Sequence, residues 1–300
     1  MHGDPLPEAY YTTTLGATYW ADSLTLMKSI EEESVNLILT SPPFALTRKK
    51  DYGNVAEEAY VDWFLPFARE FKRIMTVDGS LVIDLGGAYL PGFPTRSLYQ
   101  YELLIRLCKE CGFHLAQEFF HYNPARLPAP AEWVNIRRIR VKDSVNVVWW
   151  LSKSAFPKAD NRRVLQPYSD SMKALLQNGY RAKLRPSGHN ISDKFSKKNE
   201  GAIPANLLTI ANTESNSAYL RKCAEFAVRP HSARFPERFA EFFIAFLTEE
   251  GDLVLDPFAG SNTTGSVAER MRRMWIAIEI EEEYVIGSRL RFDHDQLAFA

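Results

Sequence analysis

The chain has 300 residues, 46% hydrophobic and 24% charged, enough for one large domain or two modest ones around a sizeable core. It has no apolar run of about 18 residues, which excludes a membrane-spanning helix, and the first residues lack the basic flank and apolar core of a secretory signal. Three cysteines (Cys108, Cys111 and Cys223) are too few for a disulfide framework, so a reducing, cytoplasmic setting is expected. Net charge is −1, yet residues 121–200 hold 16 Lys and Arg against 6 Asp and Glu. A basic stretch in an otherwise acidic chain suggests a polyanion-binding face; the plain alternative is a solvated surface.

In chain order, residues 34–40 (SVNLILT) read as a strand that stops abruptly at Ser41-Pro42-Pro43-Phe44. Residues 60–75 place apolar side chains at helical spacing, and Pro66 is expected to kink or divide that helix. Asp78-Gly79 turns the chain into a second buried strand, 80–85 (SLVIDL), stopped by Gly86-Gly87. A helix is expected over 99–111, with extended segments over 113–122 and 144–151. Residues 152–229 break the rhythm: polar, basic and without a period, they read as a disordered insertion or a small irregular domain. Beyond them come a strand over 252–256, a helix over 263–271, a strand over 274–280 and a helix over 281–290. Strands alternating with helices imply an α/β fold with ligands gathered at the carboxyl ends of the strands.

Residues 256–265 (DPFAGSNTTG) follow a strand and open a helix. Gly260 permits a tight turn that a ligand can approach, and Glu279 stands 23 positions after Asp256, at the end of the next strand. That spacing suits a carboxylate accepting both hydroxyls of a ribose. No Lys follows the glycines, so a phosphate-cradling loop is disfavoured and an adenosine ligand fits better. Asp22 is a candidate for the adenine amine, or simply a helix N-cap.

Ser41-Pro42-Pro43-Phe44 also lies at a strand end. Two prolines fix the direction of the Pro42 carbonyl, and that carbonyl and the Ser41 hydroxyl can both accept from one NH₂ group. Phe44 offers a flat face for a base. An exocyclic amine is a poor nucleophile because its lone pair is delocalised into the ring. Two acceptors that hold its hydrogens localise that pair for direct attack on a sulfonium methyl. Together the two motifs point to methyl transfer from S-adenosyl-L-methionine.

Residues 40–54 (TSPPFALTRKKDYGN) and 256–265 resemble the amino-methylating DNA methyltransferases in their permuted arrangement, where the amine-holding motif precedes the cofactor loop. The resemblance extends over 86–89, 133–150, 185–189, 195–197 and 232–236, most of the chain. It implies a Rossmann-like mixed sheet with helices on both faces, plus a small irregular target-recognition domain. The implied layout is a catalytic part over 1–151, target recognition over 152–229 and a cofactor-binding part over 230–300. Ser41, Pro42, Pro43 and Phe44 are then the catalytic turn, with Asp84 able to accept a hydrogen bond from Ser41. Asp256, Pro257, Phe258, Gly260, Ser261, Asn262 and Thr263 form the cofactor loop, and Glu279 binds the ribose. Asp22 lies near the adenine, and the segment 231–236 (with Ser232, Arg234, Phe235 and Pro236), followed by a helix over 237–247, holds the methionine end. Arg48, Lys49 and Lys50 would contact phosphates. Arg137, Arg138 and Arg140 would edge a DNA face built from Arg185, His189, Lys194, Lys197 and Lys198. Two positions depart from the family pattern: Ser232 replaces a frequent Pro, and Asn262 stands where a Gly often follows the Ser.

The implied reaction is methylation of the exocyclic N4 of cytosine in double-stranded DNA by base flipping and direct transfer. The setting is a bacterial restriction–modification system, with CAGCTG as the implied target and a nuclease encoded alongside but not bound. Adenine N6 is the first alternative, but a carboxylate or amide commonly replaces the serine in those enzymes, so Ser41 favours cytosine. RNA or protein-amide methylation and a catalytically dead DNA-binding module are the others. Cys108 and Cys111 share one helix with no second pair, so thiols and no metal are expected. No Cys follows a Pro, so the covalent route to ring-carbon methylation lacks its nucleophile.

Overall fold

The computed structural model describes residues 5–44, 56–178, 200–212 and 217–292, and the described residues lay nine strands into one sheet. The strands are β1 (Tyr11–Thr12), β2 (Gly16–Trp20), β3 (Val35–Thr40), β4 (Met75–Leu85), β5 (His114–Tyr122), β6 (Val145–Ser152), β7 (Leu207–Thr209), β8 (Leu253–Asp256) and β9 (Met274–Glu279). The helices are α1 (Ser23–Met27), α2 (Glu57–Ile74), α3 (Tyr99–Lys109), α4 (Asp170–Asn178), α5 (Ala218–Glu225), α6 (Glu237–Leu247), α7 (Thr263–Arg270) and α8 (Glu282–Ser288). The expected DNA contacts Arg48, Lys49, Lys50, Arg185, His189, Lys194, Lys197 and Lys198 lie outside the described residues.

The sheet order is β1-β2-β9-β8-β3-β4-β6-β5-β7. Strands β2, β9, β8, β3 and β4 pair in parallel, while β6 runs antiparallel to both β4 and β5. The sheet is therefore mixed, as expected. From β3 the chain crosses through α2 to β4 on one side, and from β8 it passes through α7 to β9 on the other. Strand order reverses between β3 and β8, the place where an open α/β sheet leaves a crevice.

Alternation along β6 shows why its apolar run is nearly unbroken. Trp149 packs in the core formed with α2 and α3, whereas Trp150 meets Phe246 of α6 at 5.1 Å between ring centroids. Successive side chains point to opposite faces, and both faces are covered by helices. Of the two effects expected of Pro66, a kink or a division, the division does not occur; α2 runs unbroken over 18 residues. Its buried residues flank the proline on both sides (Tyr60, Val61, Phe64 and Leu65 before, Phe67, Ala68, Phe71 and Ile74 after). Tertiary burial of that stripe outweighs the roughly 3 kcal/mol that an interior proline costs.

The chain divides into two compact units, one of Met1–Ala159 with Asn206–Ala300 and one of Asp160–Ala205. The second, smaller unit holds α4, a 3₁₀ turn at Asn161–Val164 and an isolated bridge between Gln166 and Ala202. Within the irregular 152–229 stretch, β7 and α5 belong instead to the first unit, where β7 extends the sheet beside β5. No described helix is long and apolar enough to cross a membrane.

Candidate active site

A cavity of about 600 Å³ opens at the carboxyl ends of β3, β4, β8 and β9. Its wall brings together Ser41, Pro42, Pro43, Phe44 and Asp84 with Asp22, Asp256, Pro257, Phe258, Gly260, Ser261, Thr263 and Glu279. Ser232, Arg234 and Phe235 complete it from the segment before α6.

The Ser41 hydroxyl donates to Asp84 at 3.0 Å, as expected, and the acceptor is the Asp84 backbone carbonyl. The reason is register: β3 and β4 are paired neighbours, so Ser41 meets the main chain of β4 where both strands end. The Asp84 carboxylate turns to β5 and β6 instead. Its Oδ1 accepts from Asn146 Nδ2 at 3.1 Å, and its Oδ2 lies 3.8 Å from His121 Nδ1. His121 Nε2 donates to the Ile210 carbonyl at 3.1 Å, which fixes the proton on that nitrogen. Burial works against its charged form, yet the Asp84 carboxylate and the Ile210 carbonyl outweigh it and raise the imidazole above its usual value.

The Phe44 ring packs directly against Gly86: a Cβ there would come within 2.4 Å of the ring. Tyr99 OH donates to the Gly86 carbonyl and Gln100 Nε2 to that of Leu85, so α3 pins the backbone on which the ring rests.

On the other half of the cavity, Asp256 is buried and accepts from Thr40 Oγ1 at 2.8 Å, Thr264 Oγ1 at 2.7 Å and Phe258 N at 3.1 Å. Burial raises its pKa to about 6 in spite of those three donors. Glu279 is likewise raised by burial, and accepts from Gly260 N at 2.7 Å and Glu281 N at 2.9 Å, one on each oxygen. Asp22 caps α1 by accepting from Thr25 N and Oγ1, both on Oδ1, and also faces the cavity. Both of its expected roles are therefore compatible.

Four expected site residues are engaged elsewhere. Asn262 has φ +55°, the left-handed region that Gly favours and Asn tolerates best among other residues, which accounts for its place in the loop. Its carboxamide is turned into the fold, accepting from Gly265 N and donating to Tyr11 OH and Thr18 Oγ1. Pro236 is buried as the N-cap residue of α6 and does not line the cavity. Arg140 donates to the Pro94 carbonyl and lies over the Tyr89 ring at 4.8 Å, so much of it is held by protein. Arg137 pairs with Glu132 at 2.8 Å and stacks on Trp133, while Arg138 is exposed.

His121, Asn123, Arg126, Asn146 and Asn212 also line the cavity without having been assigned a role, and so does His231, which opens the 231–236 segment expected to hold the methionine end. The pairing of His121 with Asn146 across β5 and β6 brings two of them together. Their one sequence signal was position at the ends of segments read as extended.

An open mixed sheet with a buried carboxylate, Glu279, at one strand end and the Ser41–Phe44 turn two strands away, both lining one cavity, has the layout of a nucleotide-binding α/β enzyme. The chain belongs to the DNA methylase family N6_N4_Mtase, which it matches over residues 35–288. It is 54% identical to the Type II methyltransferase M.PvuII of Proteus hauseri over 285 residues, 94% of this chain and 85% of that one. It is also 26% identical to the DNA adenine methyltransferase YhdJ of Escherichia coli (strain K12), covering 91% of this chain and 81% of that one. The solved structure of PvuII DNA methyltransferase (cytosine-N4-specific) matches with a TM-score of 0.79 and 47% identity, covering 97% of this chain and 92% of that one.

Proposed function

We propose that this DNA methylase transfers a methyl group from S-adenosyl-L-methionine to the exocyclic N4 of cytosine in double-stranded DNA. What carries the reading is one cavity lined by both Ser41 and Glu279. The residues fit the cofactor. Glu279 lies in the cavity wall with backbone N–H donors on both oxygens, and a carboxylate so placed is an acceptor for ribose hydroxyls. The Gly260 backbone faces the His231 ring at 3.3 Å from where a Cβ would stand, so a side chain there would crowd the wall. Phe258, Ile278 and Ile280 supply apolar surface for an adenine. When bound, S-adenosyl-L-methionine supplies an electrophilic methyl group on a sulfonium.

The protein's part is to hold and activate the amine. Because the Ser41 hydroxyl donates to the Asp84 carbonyl, its lone pairs are aimed away from that bond and can accept an amine N–H. The Pro42 carbonyl is the second acceptor, and Phe44, fixed on Gly86, is the face for stacking. Asn123, Asn146 and Arg126 place polar groups in the cavity wall where the base edge can be read. Arg48, Lys49, Lys50, Arg137 and Arg138 contact the phosphate backbone. The Asp160–Ala205 unit, with Arg185, His189, Lys194, Lys197 and Lys198, serves target recognition. The biological setting is the bacterial cytoplasm, with a cognate nuclease encoded alongside.

Incubation with labelled S-adenosyl-L-methionine and a CAGCTG duplex, followed by nucleoside mass spectrometry, should yield N4-methylcytosine. N6-methyladenine would move the reading to adenine, the base named in the DNA adenine methyltransferase YhdJ. Label confined to RNA or protein would overturn it.

A further inference from the structure

The segment between β5 and β6 is anchored in the cavity and carries its apolar side chains outside it. At its root, Arg126 Nη1 donates to Asn146 Oδ1 at 2.9 Å, and Lys142 Nζ donates to the Arg126 carbonyl at 3.1 Å, closing the two arms together. Asn123, Arg126 and Asn146 all line the cavity, so this closure forms part of its rim. Beyond the closure, Leu127 is 80% exposed, Ile136 70%, Ile139 60% and Val141 84%. Single exposed apolar residues are ordinary; four within one segment, interleaved with Arg126, Arg137, Arg138 and Lys142, are not. Leu127 and Val141 are the two most exposed of the four, and each is the chain neighbour of one partner in the Arg126–Lys142 contact.

We propose that this segment is a wedge for duplex DNA, with Leu127 and Val141 entering the base stack at the position vacated by the base that moves into the cavity. The inference rests on the DNA-methylating reading of that cavity. A base drawn into the site leaves a gap immediately outside the mouth, and only groups on the rim can reach it. Filling the gap with apolar side chains offsets lost stacking, and the adjoining cations meet the phosphates on either side. A partner protein fits less well, because the interleaved cations lack acidic counterparts on the same segment beyond Glu132 and Asp143, which are already paired with Arg137 and with Arg96.

The test compares the wild-type protein with Leu127→Ala/Val141→Ala and with Leu127→Met on two duplexes. One has a normal pair at the target cytosine; the other has an abasic site opposite it, which removes most of the cost of opening. The double variant should methylate the paired duplex about tenfold or more slowly, and recover to near the wild-type rate on the abasic duplex. Leu127→Met, which keeps the wedge, should behave as wild type on both. Thermal melting should not separate the variants, since both side chains are exposed. Equal losses on the two duplexes, or no loss on either, would overturn the wedge while the wild type remained active. A wild type inactive on both duplexes would instead bring down the methylation reading and the wedge with it.

Discussion

The Thr40 hydroxyl donates to the Asp256 carboxylate at 2.8 Å, joining residues 216 positions apart and tying the end of β3 to the end of β8. The same carboxylate accepts from Thr264 at the start of α7 and from Phe258 N in the loop. One buried acid thus holds the strand that leads into the catalytic turn against the loop that lines the cofactor half. Asp256 serves the cavity chiefly by keeping its two halves in register.

That acid makes stability depend on pH. Its pKa in the fold is about 6, above the usual 3.8, because burial disfavours the charged form. The folded state therefore binds the proton more tightly than the unfolded chain. The stabilisation is complete below about pH 4 and is lost as pH rises through 6. Asp256→Asn should flatten this segment of the stability curve by something on the order of 1–3 kcal/mol. Urea unfolding from pH 4 to 7 reads it, and an unchanged slope would show that Asp256 does not titrate in this range.

Ser41→Ala removes an amine acceptor without touching the cofactor half. Turnover should fall roughly 100- to 1,000-fold, while calorimetric affinity for S-adenosyl-L-methionine stays nearly constant. Loss of cofactor affinity instead would assign the turn to the cofactor.

Glu279→Ala should do the reverse, weakening cofactor binding while turnover recovers at high cofactor concentration. It also strips the Gly260 and Glu281 N–H groups of their acceptor. Glu279→Gln retains an acceptor for one of them and should therefore lose less stability in a thermal melt than the Ala variant. Wild-type affinity in both would remove Glu279 from the cofactor site.

Gly86→Ala tests the seat of the stacking ring. The new methyl would collide with Phe44, and α3 holds the Gly86 backbone too firmly for it to yield. The ring must move, and displacement of a positioning group by about 1 Å can cost on the order of 100-fold in rate. Steady-state kinetics on duplex DNA should show a fall in kcat with cofactor affinity preserved. A variant with normal kcat would mean that Phe44 does not need this position.

The two motifs were legible in the sequence because their chemistry is local. An apolar run that stops at Ser41-Pro42-Pro43-Phe44, and another that stops at residues 256–265, each specify a strand, a turn and a polar group within about a dozen residues. Neither motif states that they adjoin. That depends on sheet order, which sets β3 beside β8 and reverses between them, and order follows from packing the whole sheet between helices. The same holds for side chains whose partners lie far off in sequence. Asn262 turns to Tyr11 and Thr18, Arg140 to Pro94 and Tyr89, and the Asp84 carboxylate to Asn146 and His121. A buried polar group takes the acceptor or donor that register brings within about 3 Å, and register is a property of the assembled sheet. Sequence determined which residues could do the chemistry; tertiary structure decided which of them face the cavity.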